Sequence, residues 1–393
     1  MNHNCPTLAG AAPSSARPSS ARRHATKQPA LNRRVTTGAL CALVGLASPA
    51  LVAATVASAA AAGIGPFAPG SVVVSQGGTI AASGKSGKGT TVEANGEVNV
   101  YPPGSNGDVA PQASFTKDMY GPFTVVFDPS GDLWADNINT DTVVEITRAQ
   151  LAMPNPVPAV TISSASGLTN FYDMAFDAQG DLWAASGKSD RVYEFAKGQL
   201  ASSGSPTPHA TISSLPGLSG GIGLDPSGDL WVTTQVSKTC PHGCLFEFSK
   251  AELATASPKP TVTISSTGGT SPVFTASGNL WMVTGGGPKD DCFGSPCTNE
   301  LVEFKKAQLA TSGSPTPAVT ISSTKPGAAG SLWGPYGVAF TTSGDVWVSN
   351  YNKPTAVEFA RGQLATSGSP TPVRTIVGPK TGMNWPSYVV TVP

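Results

Sequence analysis

Few residues in this chain have the type and spacing for chemistry. Asp136, Asn137, Asp173 and Asn350 carry hard oxygen donors. Asp136, Asp173 and Asn350, brought to one point, would suit Ca²⁺ or another divalent cation. The competing reading is that these polar groups cap strand ends. A second set is aromatic and includes Tyr120, Phe123, Phe171, Tyr172, Trp333, Tyr336, Trp385 and Tyr388. Such faces stack on sugar rings and other flat ligands. Trp333, Trp385, Tyr120, Phe171, Asn137 and Asn350 form the expected ligand-contacting set; Phe123, Tyr172 and Tyr336 are expected to pack inside the fold. Gly84-Lys85-Ser86 imitates a phosphate loop, but Thr79 stands where that loop needs glycine and no helix follows.

Cysteine and charge bound the compartment. The first sixty residues hold no Asp or Glu but six basic residues, Arg17 to Arg34. An apolar run of small residues then ends at Ala57-Ser58-Ala59. A basic segment, an apolar segment and an A-x-A site predict an export signal over 1–59, a flexible linker over 60–70 and a secreted, extracytoplasmic mature chain without a membrane span. Removing six of the 24 basic residues leaves 18 against 24 acidic ones, a net charge of −6. No basic run survives, which argues against nucleic acid as a partner. Four cysteines remain, Cys240, Cys244, Cys292 and Cys297. In an oxidising compartment they suggest two disulfides, most simply Cys240 with Cys244 and Cys292 with Cys297. Pairing between the two loops, or a four-thiolate zinc site, also fits the spacing.

What positions these residues is a repeat. Gly-(Asp/Asn)-(Leu/Val)-Trp recurs five times, ending at Trp134, Trp183, Trp231, Trp281 and Trp347. Each copy follows an apolar run and a tight turn, which predicts a hairpin of strands a and b. An apolar segment around Glu145, Glu194, Glu247, Glu303 and Glu358 predicts strand c. A one-turn helix with capping-box spacing follows, as in Thr147 to Gln150. A Ser/Pro-rich turn then leads to strand d. Four strands per unit at this period are propeller blades. Strand a appears a sixth time, at Pro386 to Val392, where the chain ends. The N-terminus supplies the rest: Gly77 to Ser83 matches Gly180 to Ser186 with Ile80 for the tryptophan, Val98 to Tyr101 fits strand c, and Gln112 to Thr116 fits strand d. The expectation is an all-β chain, a single six-bladed β-propeller over 71–393. Its four-stranded antiparallel blades close by pairing N-terminal strands with a C-terminal strand, which removes open edges. A monomer is expected.

The faces of such a ring differ. From the strand b Trp to the strand c Glu the spacing is 11, 11, 16, 22 and 11. The long intervals are b–c insertions, and they hold all four cysteines. Thr324 to Gly334 lengthens a d–a loop, and Gly84 to Glu97 a further b–c loop. All this extra sequence falls on the face of the b–c and d–a loops, where repeats place binding insertions. The repeated Glu and Trp are structural, since each is copied once per blade.

The Phe127-Asp-Pro-Ser-Gly-Asp-Leu-Trp134 and Val100-Tyr-Pro-Pro-Gly-Ser-Asn-Gly107 runs resemble the NHL-type and regucalcin/gluconolactonase-like six-bladed propellers. The resemblance implies the fold and leaves the function open, because such rings host hydrolases, lyases and binding scaffolds. It also implies a metal at the channel mouth in lactonase-like members. Propeller lyases use a central histidine; His209 is expected at the outer rim and His242 in a loop, which counts against that activity. Two functions follow as expectations. One is a binding or scaffold propeller for a carbohydrate, cell-envelope component or protein. The other is a metal-dependent, lactonase-like hydrolase.

Overall fold

The computed structural model describes residues 66–77, 96–163, 169, 171–213, 215, 217–218, 220–265, 268–284, 298–323 and 331–393. They form six four-stranded antiparallel sheets. Strand a of each sheet contacts strand a of the next around a complete circle. The chain is therefore a six-bladed β-propeller.

Blade 1 is composite. Its strand order is Pro386–Thr391, Val72–Gln76, Glu97–Tyr101, Ala113–Phe115. Val73 faces Val390 and Val74 faces Val389 in register, so the last strand of the chain completes a sheet begun by the first. One expectation is corrected here. Strand b of this blade is Val72–Gln76, and not the Gly77 to Ser83 segment. Val73 takes the tryptophan position, and a run of three valines forms a pleated, fully buried strand. Strands c and d lie where the sequence places them. Of the expected linker, residues 66–70 are described, and there Phe67 is buried edge-on against Phe115. The expected export signal, Cys292 and Cys297 lie outside the described residues.

Blades 2 to 6 repeat one local logic. In blade 2, strand a is Pro122–Phe127, b is Leu133–Asn137, c is Thr142–Ile146 and d is Val160–Ser163. The a–b turn closes on Asp128, whose carboxylate accepts the Ser130 and Asp132 amides. Gly131 supplies the positive φ of 83° that the turn requires. Asp132, the residue before Leu-Trp, accepts the Arg148 amide at the start of the one-turn helix. Its counterparts Asp181, Asp229, Asn279 and Asp345 do the same, which explains why the motif demands Asp or Asn there. Thr147 and Gln150 satisfy each other's amides as the expected capping box.

The core lies between blades. Trp134 packs with Phe171, Met174 and Leu182 of blade 3, and Trp183 with Ile222 and Leu230 of blade 4. Trp347 reaches Val72, Val74 and Val389 of the composite blade. Blades 2 to 6 thus each bury an indole against the next blade, so the core lies between blades. Gly223 marks the closest approach of neighbouring strands: a Cβ there would lie 2.0 Å from the Pro272 carbonyl oxygen.

Candidate functional site

The six strands a line the central channel, and several carry an irregularity where they enter it. Register shifts fall between Pro122 and Val125, Phe171 and Asp173, Thr270 and Val273, and Pro335 and Val338. Such bulges free amides and re-aim side chains. Where the fourth residue of strand b is polar, it takes an amide of strand a; in blades 3 and 5 that position is Ala185 and Val283. Asp136 accepts from Phe123 (2.8 Å) and Thr124, Ser349 from Gly337 (3.0 Å), and Ser75 from Tyr388 (3.1 Å). Thr233 accepts from Gly221 in the same way.

Re-aimed side chains fill the mouth of the channel. Phe123 lies 4.8 Å from Tyr336 and 6.1 Å from Tyr172, both edge-on. Tyr351, the first residue after strand b of blade 6, adds a fourth ring 6.2 Å from Phe123, and Trp385 lies 5.7 Å from Tyr351. Rings from blades 1, 2, 3 and 6 therefore converge on the face of the b–c and d–a loops. Most are buried. Trp385, and Trp333 in the d–a loop of blade 6, are 39% and 37% exposed. Tyr351 was missed in the sequence because it follows the repeat motif and belongs to no strand.

The oxygen donors divide into two groups. Asp136 and Asp173 are both completely buried in the channel, near enough for the charge of one to bear on the other. Burial pushes the Asp136 carboxyl up to about 8, opposed by its amide donors. Burial likewise pushes Asp173 up to about 7, opposed by the Tyr388 hydroxyl and by the Ile222 and Met174 amides. Asp173 bridges blades, since its second oxygen accepts the Ile222 amide of blade 4 at 2.9 Å.

Asn137 and Asn350 have other work. Asn137 accepts from the Tyr120 amide and donates to Asp118 and Thr142. Asn350 accepts from the Trp333 amide and donates to Ser331 and Thr355. Both clamp a d–a loop onto the end of strand b. Phe171 is fully buried in the interface with blade 2. Tyr120 is half-buried, beside its Asn137 clamp.

The metal implied by the lactonase resemblance does not fit this donor set. The Asn350 oxygen is committed to Trp333 and both Asp173 oxygens to amides. Asp136 offers one oxygen without a partner among the described residues. Ca²⁺ takes six to eight oxygen ligands, and burial that favours the protonated forms of Asp136 and Asp173 works against a cation there. Carboxylates do converge elsewhere, on the a–b turn face. Asp128, Asp132 and Glu145, and likewise Asp225, Asp229 and Glu247, place oxygens within 4.8 Å of one another. Burial and the two neighbouring aspartates push Glu145 up to about 7 and Glu247 to about 6.

That turn face also opens into the channel through a funnel of about 520 Å³, lined by the strands a and floored by Tyr388. A cleft of about 710 Å³ lies between blades 5 and 6 on the same face, edged by Lys305 and Arg361. Neither was legible in the sequence, where apolar strand a residues read as core. On the opposite face the Cys240–Cys244 disulfide closes the blade 4 insertion, as the local pairing predicts. Among the described residues no helix is long and apolar enough to cross a membrane.

No protein-family model matches the chain. No curated protein matches it either. Solved structures do. A protein of unknown function from Bacteroides caccae aligns over 83% of this chain and 99% of its own, with a TM-score of 0.51 and 12% identity. A chain of the nidogen/laminin complex aligns over 82% and 99%, with a TM-score of 0.48 and 10% identity. Virginiamycin B lyase from Staphylococcus aureus aligns over 74% and 82%, with a TM-score of 0.42 and 13% identity. At such identities the likeness is one of fold. The NHL and gluconolactonase resemblance is accordingly supported as a propeller and no further.

Proposed function

We propose that the chain is an exported binding propeller that presents the face of its b–c and d–a loops to a carbohydrate of the cell envelope or surroundings. The observation that carries this reading is the aromatic mouth. Large apolar side chains are normally covered, yet Trp333 and Trp385 stay more than a third exposed on one face, Trp385 against Tyr351 and the aromatic cluster beneath it. Rings fixed by packing beneath them lose little entropy on binding, which suits them to stack on sugars.

The test is calorimetric titration of the mature protein with soluble cell-wall and plant oligosaccharides. Trp385→Ala and Trp333→Ala should each weaken binding at least tenfold, about 1.4 kcal/mol, with an unchanged circular dichroism spectrum. Affinity unaltered in both variants contradicts the reading.

A further inference from the structure

Outer strand edges in this ring are covered by a repeated clasp. In blade 3, Ser203-Gly204-Ser205 at the tip of the c–d turn lies along strand d of blade 2. The Gly204 amide donates to the Thr161 carbonyl (3.0 Å), Ser163 donates to the Gly204 carbonyl (2.8 Å), and the Thr161 amide donates to the Ser203 hydroxyl (3.0 Å). Ser312-Gly313-Ser314 of blade 5 repeats this on Thr263 and Ser265, and Ser367-Gly368-Ser369 of blade 6 on Thr320 and Ser322. Asn106-Gly107 of blade 1 covers Thr375 and Val377, and Asn155 of blade 2 covers Thr116 and Lys117.

The junction between blades 3 and 4 is the exception. Strand d of blade 3 is Ala210–Ile212. By register Thr211 and Ser213 occupy the places of Thr161 and Ser163. Among the described residues nothing covers that edge. The blade 4 turn has neither clasping device: it lacks the Ser-Gly-Ser tip of blades 3, 5 and 6, and it has Ser257 where the equally short blade 2 turn, Leu151 to Pro156, places the clasping Asn155. Blades 3, 5 and 6 read Leu-Ala-(Ser/Thr)-Ser-Gly-Ser-Pro, whereas blade 4 reads Leu253-Ala-Thr-Ala-Ser-Pro258. The shortened turn carries no Ser-Gly-Ser tip. Beside the bare edge lies a cavity of about 460 Å³, lined by Ser213, Leu215, Phe246, Pro258 and the Cys240–Cys244 disulfide.

We infer that this edge is a docking site for an extended Ser-Gly-Ser-Pro-type segment of another protein. An open strand edge is a template for strand addition, in which main-chain bonds give affinity and neighbouring pockets give selectivity. The occupant follows from the molecule itself, because three equivalent edges are covered by Ser-Gly-Ser followed by proline. In the empty junction the segment would bond Thr211 and Ser213 and direct an apolar side chain towards Phe246. This site is independent of the aromatic mouth.

The test uses the peptide Ala-Thr-Ser-Gly-Ser-Pro-Thr-Pro, amide-resolved NMR and the full mature chain. Peptide should bind with a sub-millimolar Kd, and exchange of the Thr211 and Ser213 amides should slow at least tenfold. The already clasped Thr161 amide should not change. Restoring the blade 4 turn, by Ala256→Ser with a glycine inserted before Ser257, should protect Thr211 without peptide and weaken peptide binding at least tenfold. Thr211→Pro should also abolish binding, and an edge strand tolerates it. The proposal is overturned by unchanged Thr211 and Ser213 amides at millimolar peptide, or by undiminished binding to the restored variant. Protection that grows with protein concentration would assign the edge to a second copy instead. Protection lost on deleting the residues before Pro66 would assign it to the chain's own N-terminal segment. Either result also overturns the proposal.

Discussion

Asn137 and Asn350 occupy the same place in their blades and use every side-chain atom in the same way. Their type was legible in the sequence, but their role was not, because it depends on where the d–a loop returns. Asn350→Ala would strand buried donors and acceptors, at a cost of about 1–3 kcal/mol. A urea titration should show that loss, while Asn350→Asp, which keeps the acceptor for Trp333, should lose less. Asp136 and Asp173 make a second residue-scale prediction. Their folded pKa values are raised above those of an unfolded chain. The native state therefore holds protons that the unfolded state releases. Stability from these groups is full near pH 4 and is lost as pH rises through 7 and 8. The urea midpoint should fall between pH 5 and pH 8, and Asp136→Asn should flatten that fall. A midpoint rising over this range in both proteins would contradict the burial of the pair.

At the scale of elements, the repeat was readable because each motif position answers a local need. The Asp or Asn before Leu-Trp caps the following helix, the glycine turns the hairpin, and the indole fills the gap to the next blade. Blade 1 was read out of phase because Gly77 to Ser83 imitates the hairpin in composition. The true strand, Val72–Gln76, lacks both tryptophan and glycine. Its signal was Ser75, which aligns with Asp136, Thr233 and Ser349 and captures an amide of strand a as they do. The missing clasp of blade 4 was equally present in the sequence, as a turn with neither a Ser-Gly-Ser tip nor the Asn155 of blade 2, but only the intact clasps reveal what those residues do. Trp183→Ala should cost about 3–5 kcal/mol, since it opens a void between blades 3 and 4. Gly204→Ala should cost little, because a Cβ at Gly204 meets nothing within 4 Å.

At the scale of the molecule, closure explains how a chain of small cores is one cooperative structure. Every blade leans on the next, and Val72–Gln76 pairs with Pro386–Thr391 to join the ends. The faces then differ by what closure exposes. One carries near-identical turns, acid clusters and the apolar funnel. The other carries the insertions and the aromatic mouth. The central claim is that this second face binds through its exposed indoles. The chain has seven tryptophans, five buried between blades and two, Trp333 and Trp385, exposed at the mouth. Indole N–H spectra of ¹⁵N-labelled mature protein, recorded while a binding oligosaccharide is added, separate the two groups. The account predicts that the Trp333 and Trp385 signals move and saturate together while the five blade signals stay still. Movement confined to the blade tryptophans, or to none, would contradict it.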